Sequence, residues 1–276
     1  MKLDFSEIDV FTSVPLMGNP VAVVHDAAGL STEQMGRIAN WTNFSETTFV
    51  TGVASESYDV RIFTPKGELP FAGHPSVGTA FALRSRGRFS PGLSRLTQNC
   101  AAGPIAVRFE DERVRVRVPE ARITEVSTAR TELLQALAVS ELHHPARINL
   151  GPVWIIARIP WEHLEGMQPS DTHVVRVSQE LGATGITVYA ASGNAVAVRS
   201  FAPAAGIKED PVCGSGNAAV AAHLRHTGGL GETGFSYVAR QGTSLGRDGQ
   251  VHVTVDGDEI WIGGFCAEVV RGTLNL

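Results

Sequence analysis

An internal repeat restricts the fold of this chain more than any other feature. Sliding the sequence by 138 residues brings Val60, Arg61, Phe63, Pro65, Gly78 and Ala80 onto Val198, Arg199, Phe201, Pro203, Gly216 and Ala218. Each copy reads as a strand, a proline-bearing loop, a Gly-rich turn and an apolar helix. With a small gap, Gly18–Val23 also resembles Gly151–Ile155, and Gly103 and Gly242 each stand near the start of a β-rich stretch. Two homologous domains related by a pseudo-twofold axis account for the pattern. A chain of 276 residues has the length for two domains of ordinary size. The join is expected where Arg122–Arg130 turns polar and stops alternating. That gives domains 1–125 and 126–276, with the last strand or the N-terminal residues free to cross between them.

The local pattern is mixed α+β. Val21–His25, Asp59–Phe63, Arg113–Val118, Val153–Ile159, Ala195–Phe201 and Val251–Val255 read as strands, several of them alternating apolar and polar residues. Leu30–Trp41 reads as a helix opened by Ser31 with Gln34 three residues on, a capping-box spacing. Pro169–Leu181 places Val174, Val177 and Leu181 on one helical face. Val77–Ser85 and Ala218–His226 are small and apolar nearly all round, so each is expected to be a buried helix. The regular βαβ alternation of a doubly wound sheet is missing.

Composition removes several function classes. Lys plus Arg number 23 against 28 Asp plus Glu, a net charge of −5, and the basic stripe of a nucleic-acid binder is absent. Arg113, Arg115 and Arg117 alternate with valines, as on the wet face of a half-buried strand. Cys100, Cys213 and Cys266 offer neither a disulfide framework nor metal-ligand spacing. No apolar run approaches the ~18 residues of a membrane helix, and Met1–Val10 does not read as a signal peptide. A cytoplasmic protein that binds neither membrane nor nucleic acid is expected.

The residues able to carry chemistry sit in turns. Phe71–Thr79 sets His74 at a helix entrance among glycines, and Glu209–Asn217 sets Asp210 before a second one. Helix N-termini offer unpaired N–H groups and the positive end of a dipole, so two of them at one cleft would receive a carboxylate. Asn43–Thr48 places Glu46 between a helix and an apolar strand, surroundings suited to proton transfer. Taken singly, each has a plain reading: a turn histidine, a helix-capping aspartate, an exposed loop glutamate. Gly214–Ala219 fits a permissive dinucleotide fingerprint, but no continuous apolar strand leads into it and nicotinamide binding is rejected. A two-thiol racemase needs a cysteine in each half. The repeat equivalent of Cys213 is Pro75, so Cys213 reads as a small buried turn residue, with a reactive helix-terminal thiol as the alternative.

Together, Gly18–Val23, Asn43–Phe49, Phe71–Pro75 and Glu209–Asn217 resemble, in order and over nearly the full length, the PhzF family of phenazine-biosynthesis-like proteins. The resemblance implies the diaminopimelate-epimerase-like fold: two pseudo-twofold-related domains, each a curved sheet or open barrel around a central helix, with the site between them. It implies a cofactor-independent isomerase similar to trans-2,3-dihydro-3-hydroxyanthranilate isomerase. Glu46 would be the general acid/base, with His74 and Asp210 as catalytic partners. Asn19, Gly73, Gly214, Ser215 and Gly216 would contact a small carboxylate substrate, and no metal is implied. A homodimer is expected on the same ground. Two rivals stand beside this reading: an epimerase or racemase of another small amino or hydroxy carboxylate, and a non-catalytic protein that binds a metabolite.

Overall fold

The computed structural model describes residues 1–276, the side chain of Ser127 excepted. The chain forms two compact units, Met1–Arg117 with Gly263–Leu276, and Val118–Ile262.

In the first unit the strands are β1 (Lys2–Val10), β2 (Asn19–Val24), β3 (Thr47–Val53), β4 (Ser57–Thr64), β5 (Gly67–Leu69), β6 (Arg95–Cys100), β7 (Gly103–Glu110) and β8 (Arg113–Arg117). Helix α1 (Thr32–Thr42) joins β2 to β3, and α2 (Gly73–Ser85) lies between β5 and β6. β2 pairs in parallel with β3, and β4 with β6, the two right places for a helical crossover. The pairs β1–β2, β3–β4, β6–β7 and β7–β8 are antiparallel. α1 forms as expected from its capping box: Ser31 accepts from the Gln34 N–H, and the Gln34 side chain accepts from the Ser31 N–H.

The second unit repeats this order. Its strands are β9 (Arg122–Glu125), β10 (His143–Asn149), β11 (Val153–Arg158), β12 (Gly185–Ser192), β13 (Ala195–Ala202), β14 (Ile207–Asp210), β15 (Ser236–Gln241), β16 (Gly249–Asp256) and β17 (Glu259–Gly264). Its helices are α3 (Arg130–Leu137), α4 (Trp161–Leu164), α5 (Asp171–Glu180), α6 (Gly214–Thr227) and α7 (Leu230–Thr233). β11 pairs in parallel with β12, and β13 with β15, while β9–β10, β10–β11, β12–β13 and β15–β16 are antiparallel. The expected polar join at Arg122–Arg130 is therefore in part a strand. Its alternation is concealed because Arg122, Thr124 and Glu125 are exposed and only Ile123 turns partly inward. The final strand, β18 (Cys266–Asn275), returns to the first unit and pairs antiparallel with β1 along its length.

Each unit curls its sheet around one small-residue helix. α2 packs against β1, β2, β3, β8 and β18, and α6 against β10, β11, β12 and β16. A helix touched from so many sides has no wet face, which is why neither sequence shows an amphipathic stripe. The glycines matched by the repeat are the points of closest approach. A Cβ on Gly78 would stand 2.5 Å from Val21 Cγ1 and 2.8 Å from Val10 Cγ2. On Gly216 it would stand 2.7 Å from Ser200 Oγ and 2.9 Å from Thr187 Oγ1. Both helices start earlier than their apolar runs, at Gly73 and Gly214, because turn-forming residues fill their first turns. In the register of the repeat, α2 also begins about one turn before α6. That added turn carries Gly73 and His74.

Candidate active site

α1 ends at Asn43, whose left-handed backbone (φ 57°) lets its N–H reach the Ala39 carbonyl. The Thr42 and Thr47 hydroxyls, 2.8 Å apart, pin the short loop to the start of β3. Glu46 therefore has a fixed origin, and its side chain is 15 % exposed. Its Oε2 lies 3.5 Å from His74 Nδ1.

His74 is the second residue of α2 and is buried. Pro75 fits in this first turn because its missing N–H would have had no helical partner. Ala72, at the N-cap, has no side chain able to cap the helix. Burial pushes the His74 pKa below the ordinary histidine value, with the Glu46 carboxylate, the Pro20 carbonyl and the Asp9 carboxylate acting the other way. Burial thus disfavours the charged ring. Glu46 Oε2 and His74 Nε2 are both buried without a hydrogen-bond partner. Buried polar atoms without a partner are rare in a folded protein, and here they flank the 3.5 Å contact of Glu46 Oε2 with His74 Nδ1. Asn19, buried at the start of β2 opposite Val10, and Gly73 belong to this same unit.

In the second unit, Asp210 ends β14 and is buried. Its Oδ1 accepts from the Val212 N–H at 3.0 Å, an Asx turn that leads the chain into α6. Gly214, Ser215 and Gly216 form the first turn of that helix. Cys213 is its N-cap residue, and Cys213 Sγ accepts from the Gly216 N–H at 3.2 Å. This gives the thiol the capping task that Ser or Thr usually performs. Ser215 Oγ accepts from Trp154 Nε1 at 2.9 Å, which fixes the hydroxyl against β11. The structure thus brings Glu46 together with His74, and Asp210 together with Gly214, Ser215 and Gly216.

Several buried polar residues close to the candidate turns escaped the sequence reading. Asp9 is a buried carboxylate on β1; its Oδ2 accepts from the Gly18 N–H at 3.0 Å and its Oδ1 has no partner. Gln98 and Gln241 are buried beside the N-terminal turns of α2 and α6. The signal available was a lone polar residue in an apolar strand, and it does not distinguish a core hydrogen bond from an exposed position. Among the described residues, no three His, Cys, Asp or Glu side chains converge to hold a metal ion. No helix among the described residues is long and apolar enough to cross a membrane. A cavity of about 250 Å³ lined by Trp161, Leu164, Arg199 and Arg240 contains none of the candidate residues.

The family model described as phenazine biosynthesis-like protein, PhzC-PhzF, matches residues 8–270. The trans-2,3-dihydro-3-hydroxyanthranilate isomerase of Pseudomonas chlororaphis is 36 % identical over 283 residues, covering 98 % of each chain. Antisense-enhancing sequence 1 of Schizosaccharomyces pombe is also 36 % identical, over 91 % of this chain and 90 % of its own. A PhzF-family phenazine biosynthesis protein of Bacillus anthracis is similar in structure, with a TM-score of 0.86 at 25 % identity and full coverage of both chains. A hydroxyproline epimerase from Agrobacterium vitis shares the fold, with a TM-score of 0.66 at 13 % identity over 99 % of this chain and 92 % of that one. The chain belongs to the phenazine biosynthesis-like PhzC-PhzF family, whose fold is that of the epimerase-like proteins.

Proposed function

We propose that this protein is a cofactor-independent isomerase that moves a proton on a small unsaturated carboxylate. Trans-2,3-dihydro-3-hydroxyanthranilate is the first substrate to test, since relatives at 36 % identity carry that isomerase's name. The observation that carries the reading is the Glu46–His74 pair: a nearly buried carboxylate, 3.5 Å from a buried imidazole, with Glu46 Oε2 and His74 Nε2 left without a hydrogen-bond partner.

Glu46 takes a proton from one ring carbon. The electron pair of the broken C–H bond moves into the conjugated system and its carboxylate. The same carboxylic acid then returns the proton to a different carbon, so the product is an isomer and nothing is oxidised or reduced. Burial disfavours the charged form of His74, so the ring is placed to hydrogen-bond at the site. Asp210 supplies a further hydrogen-bonding carboxyl group. The first turn of α2 at Gly73 offers N–H groups and a helix-dipole end suited to a substrate carboxylate and the charge that develops on it, and the turn at Gly214 and Ser215 offers the same chemistry in its own unit. One carboxylate serving both transfers suits a shift of position along one face. It does not suit inversion of a stereocentre, for which groups on both faces are needed.

The test is incubation with trans-2,3-dihydro-3-hydroxyanthranilate in deuterated water, with Glu46→Gln alongside. Wild type should deplete the substrate and deuterate the product. Glu46→Gln should turn over ~10²–10⁴-fold more slowly, the usual worth of a positioned acid/base, with unchanged thermal unfolding. A variant within tenfold of wild type removes Glu46 as the base. Saturable binding without exchange in either protein would favour the metabolite-binding rival.

A further inference from the structure

We propose that Gln241 is a positioning residue for Asp210 and for the first turn of α6. Three hydrogen bonds to one buried carboxamide carry the argument. Gln241 Oε1 accepts from the Cys213 N–H at 3.1 Å and from Asn217 Nδ2 at 2.8 Å, and Gln241 Nε2 donates to the Asp210 carbonyl at 2.9 Å. Two of these partners are backbone groups of fixed polarity, so the orientation of the amide is settled by the bonds themselves. Asn217 adds a fourth link, donating through Nδ2 to the Cys213 carbonyl at 2.9 Å. Gln241 lies at the end of β15, which pairs in parallel with β13, so the turn is tied to the sheet rather than only to its own helix. The task needs one acceptor with two lone pairs and one donor on the same short planar group. A glutamate has no donor, and an apolar residue would leave the buried Cys213 N–H and Asp210 carbonyl unpaired.

The first unit uses the same device on the same face of the equivalent strand. Gln98 on β6, which pairs in parallel with β4, is fully buried. Its Nε2 donates to Ser76 Oγ at 2.9 Å, its Oε1 accepts from Tyr58 Oη at 2.7 Å, and Ser76 Oγ donates to the Ala72 carbonyl at 2.8 Å. A glutamine thus anchors the turn that carries His74 and, in the other unit, the turn that carries Asp210. The repeat is not residue for residue: by strand pairing Gln241 stands two residues further along its strand, opposite Val198, where Gln98 stands opposite Tyr58. A spacing of two keeps a side chain on the same face.

The inference rests on the reading that Asp210 serves the reaction, and the experiment separates the two. Gln241→Met, Asp210→Asn and the double variant are compared by proton exchange into trans-2,3-dihydro-3-hydroxyanthranilate. If Gln241 acts through Asp210, Gln241→Met lowers kcat/KM by about 10–100-fold in the wild-type background and less than about threefold in the Asp210→Asn background. Equal losses in both backgrounds, or no loss in kcat/KM beside a lowered Tm, overturn the proposal, since either would mark a purely structural role. Gln241→Glu keeps both accepted bonds and loses only the one donated to Asp210. It supplies a folded variant should Gln241→Met fail to fold, and it is expected to lose at least about tenfold, with full wild-type rates counting against the proposal. If wild type shows no exchange, the functional reading fails, and amide resonances judge the positioning separately. Those of Cys213 to Gly216 should shift in Gln241→Glu while those of β12 stay in place, and unmoved resonances refute it.

Discussion

Gly216 and Gly36 pose the same substitution with opposite expected outcomes. Alanine at Gly216 would press on Ser200 Oγ, Thr187 Oγ1 and Cys213 Sγ, the first two already joined by a 2.9 Å hydrogen bond. Gly216→Ala is expected to cost about 1–3 kcal/mol through overpacking, and Gly78→Ala, against Val21 and Val10, a similar amount. Gly36 lies within α1, and nothing stands within 4 Å of the place a methyl group would take there. Gly36→Ala should therefore add about 0.5–1 kcal/mol by reducing the freedom of the unfolded chain. Urea unfolding of the three variants checks both signs, and a neutral Gly216→Ala would show that α6 has slack against its sheet. The repeat flagged Gly78 and Gly216 from sequence alone. What it did not reveal is that both are points of close contact with the sheet, because contact and approach to a ligand leave the same letter. Glu46 and His74 were legible in the same partial way: the residues were named by their motifs, while their 3.5 Å approach depends on where α1 stops and on the added turn of α2.

At the scale of elements, two buried histidines link stability to pH. His25, just beyond β2, shares a 3.2 Å hydrogen bond between Nε2 and Ser6 Oγ, and His223 in α6 is set between Tyr189 Oη at 2.9 Å and the His144 carbonyl at 2.6 Å. Since a carbonyl only accepts, His223 carries its proton on Nε2 and receives the Tyr189 hydroxyl at Nδ1. Burial lowers both pKa values to about 4, assisted by Arg86 at His25 and by His144 and His226 at His223. An unfolded histidine takes a proton near pH 6.5, while these two resist until about pH 4. Between those values the unfolded chain binds more protons than the folded one. The stabilising effect of the two rings is therefore complete above pH 6.5 and is lost as the pH falls toward 4, by about 3 kcal/mol for each ring. Urea midpoints measured from pH 7 to pH 4.5 should fall steadily, and His223→Gln should flatten the slope. An unchanged slope would mean that His223 has the same pKa in the folded and unfolded chain. The sequence placed His223 in a helix expected to be buried, but the partners of both histidines follow from long-range packing and left no sign there.

For the whole molecule, the return of β18 to β1 is the consequential event. It pairs from Lys2 opposite Asn275 to Val10 opposite Cys266, and Leu274 packs on the small core of Leu3, Val24, Phe49 and Phe63. Removing Cys266–Leu276 strips β1 of one complete ladder and leaves a long exposed edge. Amides of β1 and β2 in the shortened chain are expected to exchange at least about tenfold faster, with those of β12 and β13 nearly unchanged. Equal protection in both units would show that β18 contributes no local stability. The sequence by itself determined that there are two similar halves, that each holds a small-residue helix against a sheet, and which glutamate, histidine and aspartate stand at the turns. These properties are written in local spacing and in repetition, which survive reading along one dimension. Only the tertiary structure decided that Arg122–Glu125 is a strand, that β18 pairs with β1, and that Asp9, Gln98 and Gln241 are buried. Those facts depend on which distant strand lies alongside, and a polar residue gives no local sign of the partner that will pair with it.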